Sequence, residues 1–242
     1  MSGPAAGNGA VPAFKKSVAR EYLEAIVVAV VLALFVRTFA IQAFKIPTSS
    51  MEPNLLIGDH LFVNRLVYSP SIGRVEDLLL AKREVRRGDV VVFRFPENPE
   101  KDYVKRVVAL PGETVEIHDK TVLVDGRPLD ETAYVHFLDA DQGESSEVEA
   151  GGLGGRERTP YGPLRVPEGQ LFVLGDNRDN SNDSRIWGFL PRELVKGRAL
   201  FVYWSYAATR EEYRRSGALA WLRDTATALG RTRWDRFFHV IR

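Results

Sequence analysis

Asp102-Tyr103-Val104-Lys105-Arg106-Val107-Val108-Ala109-Leu110-Pro111-Gly112 reads as a β-strand running into a turn. Its valines favour a pleated, half-buried surface, and Leu110-Pro111-Gly112 punctuates the run. Alternation places Tyr103, Lys105, Val107 and Ala109 on one face and Val104, Arg106 and Val108 on the other. Each face carries one cation among apolar neighbours, so parity alone does not choose between them. Chemistry does. Arginine stays protonated in proteins, whereas burial can move a lysine down from ~10.4 by as much as 3–5 units. Only Lys105 could become a base near neutral pH. Read in isolation, the strand also fits an edge whose lysine keeps its head in water.

Working outward, the same short β-branched pattern recurs at His60–Val67, Asp89–Phe95, Thr114–Ile117, Thr121–Val124, Gln170–Leu174 and Arg198–Tyr206. Arg87-Gly88-Asp89 and Asp125-Gly126 supply turns between them. Residues 45–207 are therefore expected to form a mainly β domain. Residues 129–167 are polar and glycine-rich (Gly151-Gly152-Leu153-Gly154-Gly155) and are expected to be an inserted surface lobe.

Residues 1–21 read as a disordered tail ending in basic residues. Residues 22–44 are apolar enough, with Glu24 and Arg37 near the ends, to give roughly 30 Å of helix, and are expected to span a membrane once. Lysines and arginines ahead of the span favour a cytoplasmic N-terminus and a domain on the extracytoplasmic side of the cytoplasmic membrane. Residues 208–242 have helical spacing followed by a basic, aromatic tail, expected as a short amphipathic helix closing the domain.

Lys and Arg number 33 against 32 Asp and Glu, so no bulk charge points to nucleic acid. The absence of cysteine excludes disulfides, a thiolate nucleophile and a cysteine zinc site. His60, His118, His136 and His239 show no metal-ligand spacing, and no metal or other cofactor is expected. Neither a G-x-S-x-G elbow nor a P-loop occurs. Two further segments could carry chemistry. One is Ile46-Pro47-Thr48-Ser49-Ser50-Met51-Glu52-Pro53-Asn54-Leu55, and a serine there could give its proton to a neutral lysine. The other runs from Leu174 to Pro191 and interleaves Asp176, Arg178, Asp179, Asp183 and Arg185. It is longer and more charged than an Asx turn needs, and reads as an ion-pair network that stiffens a site.

Together, Pro47-Thr48-Ser49-Ser50-Met51-Glu52-Pro53, Arg87-Gly88-Asp89-Val90-Val91, Lys105-Arg106-Val107 with Leu110-Pro111-Gly112, and Gly175-Asp176-Asn177-Arg178-Asp179-Asn180-Ser181 through Asp183-Ser184-Arg185 resemble the ordered boxes of type I signal peptidases. The resemblance covers about residues 20–112 and 165–206. It implies a membrane-anchored serine endopeptidase that removes signal peptides from exported precursors after an Ala-x-Ala-like site. The implied fold is the β domain shared with repressor-type Ser/Lys proteases. Ser50 is then the nucleophile and Lys105 the general base. Thr48 joins the Ser50 N–H in the oxyanion hole, Ser181 orients the lysine, and Asp183 with Arg185 supports that loop. Phe44, Ile46, Met51, Leu55, Tyr103 and Val104 match the substrate pockets. The implied partners are signal-peptide-bearing precursors and membrane lipid. Relatives commonly carry glycine where this chain has Ser49, which makes Ser49 the rival nucleophile.

Two other readings compete. A self-cleaving repressor-type protease would share the dyad but should carry a DNA-binding module, and residues 1–24 are too short for one. A membrane-anchored β-rich interaction module would need no particular serine or lysine. If the lysine mechanism holds, activity should rise with pH somewhere between ~7 and ~9, through the titration of a buried amine.

Overall fold

The computed structural model describes residues 18–35, 41–68, 83–137, 161–207 and 230–241. Two compact units separate near residue 38.

The first contains helix α1 (Val18–Phe35). Arg20, Glu21 and Glu24 occupy its first two turns, with Arg20 and Glu24 paired at 2.9 Å. Beyond them it is apolar on every side, and Ile26, Val27, Val30, Val31 and Leu34 are all exposed. A helix to Phe44 was expected, but α1 is described over Val18–Phe35, residues 36–40 lie outside the described residues, and Ile41–Lys45 form a strand. No described helix is long and apolar enough to cross a membrane. The reason is one of pattern. A short apolar run looks the same whether it continues a helix or starts a strand, and only its pairing partner decides.

The second unit is mainly β. Its strands are β1 (Ile41–Lys45), β2 (Asp59–Asn64), β3 (Val90–Phe95), β4 (Asn98–Ala109), β5 (Thr114–His118), β6 (Thr121–Val124), β7 (Arg127–Pro128), β8 (Tyr161–Arg165), β9 (Gln170–Leu174), β10 (Leu190–Pro191), β11 (Val195–Ser205) and β12 (His239–Val240). An eight-stranded sheet has the order β1-β2-β11-β3-β4-β9-β10, with β12 added to β11, and a smaller sheet has the order β7-β6-β5-β8. Within each sheet the pairs are antiparallel.

Alternation sorts the large sheet as the sequence implied. Val90 and Val92 of β3 enter one cluster with Leu61, Val63, Ala199 and Val202. Val91 and Phe93 enter another with Val107 and Val173. The β4 pattern holds as far as Val107. A register shift against β9 between Val107 and Ala109 then turns both Val108 and Ala109 into the cluster shared with Val115, Ile117 and Val122 of the small sheet. The bulge thus lets one strand serve two cores.

The seven strands read from alternation are present with small shifts of boundary. The sequence did not reveal β8, which lies inside the span 129–167 assigned to a surface lobe and pairs with β5. Of that lobe, residues 138–160 lie outside the described residues. The expected C-terminal helix falls mostly on 208–229, also outside them. The tail that follows is part of the domain and not a separate amphipathic appendage. β12 pairs with β11, and Arg236 reaches the fully buried carboxylate of Asp59 at 2.6 Å.

Candidate active site

Residues 46–58 connect β1 to β2. Met51 and Leu55 are spaced one helical turn apart, linked by Leu55 N–H donating to the Met51 carbonyl at 2.9 Å, and both are buried in the core. These anchors hold the intervening turn against the domain and leave Ser50 at its start, 7% exposed. Lys105 comes from the middle of β4, paired opposite Val91 of β3. Its side chain is 3% exposed, and its Nζ stands 2.6 Å from Ser50 Oγ. The same nitrogen lies 3.1 Å from the Val104 carbonyl and 5.5 Å from the centre of the Tyr103 ring. The two groups are 55 residues apart in sequence, and the fold brings them within one hydrogen bond in a nearly dry place.

The segment after β9 closes the site from another side. Asn177 N–H donates to the Ser50 carbonyl at 3.1 Å, and Asn177 Nδ2 and Asn180 Nδ2 donate to Ser49 O and Oγ at 3.3 and 2.9 Å. Ser49 is therefore held by Asn180, whereas Lys105 contacts Ser50. At Gly175 the two loops approach closely. A Cβ there would collide with Ser181 Oγ and stand 2.5 Å from the Ser50 carbonyl oxygen.

Asp183 caps the short helix α2 (Ser184–Trp187) and is fully buried. Its oxygens accept from Gly175 N–H at 3.1 Å and from Arg185 Nε and Nη2, both at 2.8 Å. Burial pushes this carboxyl up. The Arg185 guanidinium, helped by the Gly175 N–H, more than offsets that and holds it at about 2.

The charged residues expected to form a network within the loop divide differently. Within the loop Asp183 and Arg185 pair with each other. Asp176 pairs with Arg106 of β4 at 2.7 Å, both almost fully buried. Arg178 pairs with Glu131, and Asp179 lies 3.5 Å from Lys120. Alternation treated Arg106 merely as the cation that could not be a base. In fact it fixes the Lys105 strand to the loop, and its guanidinium is stacked over Tyr134 at 4.0 Å. Asn54 Nδ2 joins the same group by donating to Asp176 Oδ2 and the Tyr134 carbonyl, each at 2.8 Å. The sequence assigned no role to Glu131, Asn54 or Gly175, because Arg178, Asp176 and the Ser50 carbonyl, which they meet, are remote from them or from each other along the chain.

The expected pocket residues divide as well. Ile46, Met51 and Leu55 belong to the core, with Phe44 and Val104 packed partly buried against it. Tyr103 belongs to a different cluster, stacked on Phe95 at 4.4 Å. Thr48 is half-buried, two residues before Ser50.

Comparison with known proteins bears directly on this arrangement. The family model described as signal peptidase, peptidase S26, matches residues 19–204. Signal peptidase I of Aquifex aeolicus is 35% identical over 218 residues, spanning 73% of this chain and 80% of that protein. Signal peptidase I of Bacillus licheniformis is 34% identical over 200 residues, spanning 81% and 95% respectively. A crystal structure of a signal peptidase I from Enterococcus faecalis aligns at 35% identity over 48% of this chain and 97% of that one, with a TM-score of 0.35, too loose a superposition to argue from. The matched span runs from within α1 through β11 and includes both loops that meet at Gly175, so the chain belongs to the signal peptidase family, peptidase S26.

Proposed function

We propose that this protein is a serine endopeptidase that removes signal peptides from exported precursors, with Ser50 as nucleophile and Lys105 as general base. The observation that carries the residue assignment is the 2.6 Å contact between Lys105 Nζ and Ser50 Oγ at two buried side chains. In the reactive form the amine is neutral and accepts the hydroxyl proton while Ser50 Oγ attacks the scissile carbonyl carbon. The Ser50 N–H and the Thr48 hydroxyl hold the oxyanion, and loss of one such donor typically costs ~3–4 kcal/mol of transition-state stabilisation. Collapse of the intermediate expels the new amine, which takes its proton from Lys105. The amine of Lys105 then activates the water that hydrolyses the acyl-enzyme.

Phe44 and Val104 are the expected pocket residues that pack partly buried against the core, and they are suited to meet the small side chains of an Ala-x-Ala-like site. Ile46, Met51 and Leu55 shape that surface from beneath. Ser181 acts on the lysine, and Asp183 with Arg185 holds Ser181.

The membrane placement is also a proposal. An apolar stripe running all the way round α1 is at home in lipid more than in water. Residues 22–44, with a strand at their end, serve as the tether, and the β domain works on the extracytoplasmic side. Digestion of spheroplasts should remove the β domain, and inverted vesicles should protect it. The reverse pattern would reverse the topology.

The decisive experiment is incubation of the purified protein with an exported precursor and mass-spectrometric mapping of the cut. Ser50→Ala and Lys105→Ala should each abolish cleavage with the protein still folded. Activity surviving in either variant would overturn the dyad.

A further inference from the structure

Glu131 has no place in the scheme above, yet it is 8% exposed and takes a two-pronged ion pair from Arg178, with Nη1 at 2.8 Å and Nη2 at 2.5 Å. We propose that Glu131 is a positioning residue for the peptidase reaction, acting through Arg178 on the Gly175–Ser181 loop. The inference rests on the Ser50/Lys105 reading.

The path is short. With its two Nη atoms held by Glu131, Arg178 directs Nε to the Gly175 carbonyl at 3.2 Å. The N–H of that same glycine donates to Asp183 at 3.1 Å. Both polar groups of Gly175 are thus fixed, at the one residue that has no room for a Cβ between the Ser50 carbonyl and Ser181. The Arg178 carbonyl accepts from Arg185 Nη2 at 2.7 Å, which ties the Glu131 pair to the Asp183 pair. A shift of Arg178 would therefore move Gly175 and, with it, the spacing of the Ser50 carbonyl and Ser181 on either side of that glycine.

The surrounding segment acts in concert. His136 N–H donates to the Asp176 carbonyl at 2.8 Å, and Arg178 N–H donates to the His136 carbonyl at 2.9 Å. Tyr134 lies against the Arg106 guanidinium and accepts from Asn54 through its carbonyl. Residues 131–136 therefore touch the nucleophile turn, the lysine strand and the intervening loop at once. A simple stabilising role explains this less well, because a buried ion pair is often no more stabilising than an apolar replacement of the same size. A guanidinium held in two prongs, however, has a fixed direction.

The test uses the full-length protein and a cleavable precursor. Glu131→Gln keeps the shape but turns an N–H toward a guanidinium N–H, and Arg178→Lys keeps the charge but loses the bond to the Gly175 carbonyl. In folded enzyme, counted by circular dichroism and active-site titration, each should lower kcat on the order of 10- to 100-fold while KM changes little. The rising limb of the pH profile of kcat/KM should also move, and Glu131→Asp should recover part of kcat. A kcat within twofold of the parent and an unmoved limb would overturn the proposal, even with a lower melting temperature. Should Glu131→Gln fail to fold, Arg178→Lys decides on the same readouts. Inactive Ser50→Ala and Lys105→Ala beside a fully active Glu131→Gln would refute this inference alone, whereas active dyad variants would refute the reading beneath it.

Discussion

The dyad loop and the outer edge of the large sheet manage buried polarity in opposite ways. Around Ser50 and Lys105 the buried charges come in fixed pairs: Arg106 with Asp176, Arg178 with Glu131 and Arg185 with Asp183. Toward the edge of the sheet at β1 and β2 one such pair remains, Arg236 with Asp59, but the other polar groups there are dispersed among rings. His60 packs against Trp204 at 4.8 Å and against Tyr203 and Tyr206 at 5.9 Å, while Lys45 Nζ donates to the Tyr206 hydroxyl at 2.6 Å. The first arrangement specifies direction and tolerates little change. The second fills space and leaves one group free to titrate. The difference teaches that the proposed dyad sits among ion pairs with defined geometry, whereas the ring group around His60 is governed by packing.

That contrast can be broken most sharply at the dyad itself. Lys105→Arg should be inactive, with cleavage below a few per cent of the parent, because a guanidinium cannot offer a neutral amine. Steady-state cleavage of a precursor measures it, and substantial activity would end the general-base assignment. Gly175→Ala should follow closely, since its methyl group has to displace either Ser181 or the Ser50 backbone. Overpacking of this kind costs roughly 1–3 kcal/mol of stability, and the misplacement should lower kcat on the order of 100-fold. A normal kcat would mean that the loop yields easily.

Acid sharpens the comparison next. Asp183 titrates at about 2 in the folded protein, below its usual 3.8, so its stabilisation is complete above pH ~4 and is lost as pH falls toward 2. Removing it should cost roughly 2 kcal/mol, read from urea unfolding of Asp183→Asn at neutral pH. His60 behaves differently. Burial, reinforced by the Lys45 charge, outweighs the pull of Asp59 and pushes its imidazole down to about 4. The neutral ring is favoured by folding, so its contribution is present above pH ~6.5 and fades as pH falls from 6.5 toward 4. The melting temperature should drop through that window in the parent and less so in His60→Phe. An equal drop in both would place the titrating group elsewhere. The smallest effect is expected at Ser49→Gly, which loses the bond from Asn180 and about 1 kcal/mol, with kcat within a fewfold of the parent. An inactive Ser49→Gly beside an active Ser50→Ala would transfer the nucleophile.

By itself the sequence determined what is local or chemical. Alternating β-branched runs located β2 to β6, β9 and β11, because a pleated strand with a buried face writes its period of two into the chain. Residue type singled out Lys105 over Arg106, and the ordered motifs around Ser50 and Asp183 pointed to the family. What the tertiary structure decided is who meets whom. Ile41–Lys45 became a strand because His60–Asn64 offered a ladder. Arg106 and Arg178 found Asp176 and Glu131, not the nearest acids in sequence, and Arg236 reached back to Asp59. A charge pattern records sign and spacing along the chain. The partner of a buried charge is chosen by which donors and acceptors the packed sheets leave within about 3 Å of one another, and that distance exists only after folding.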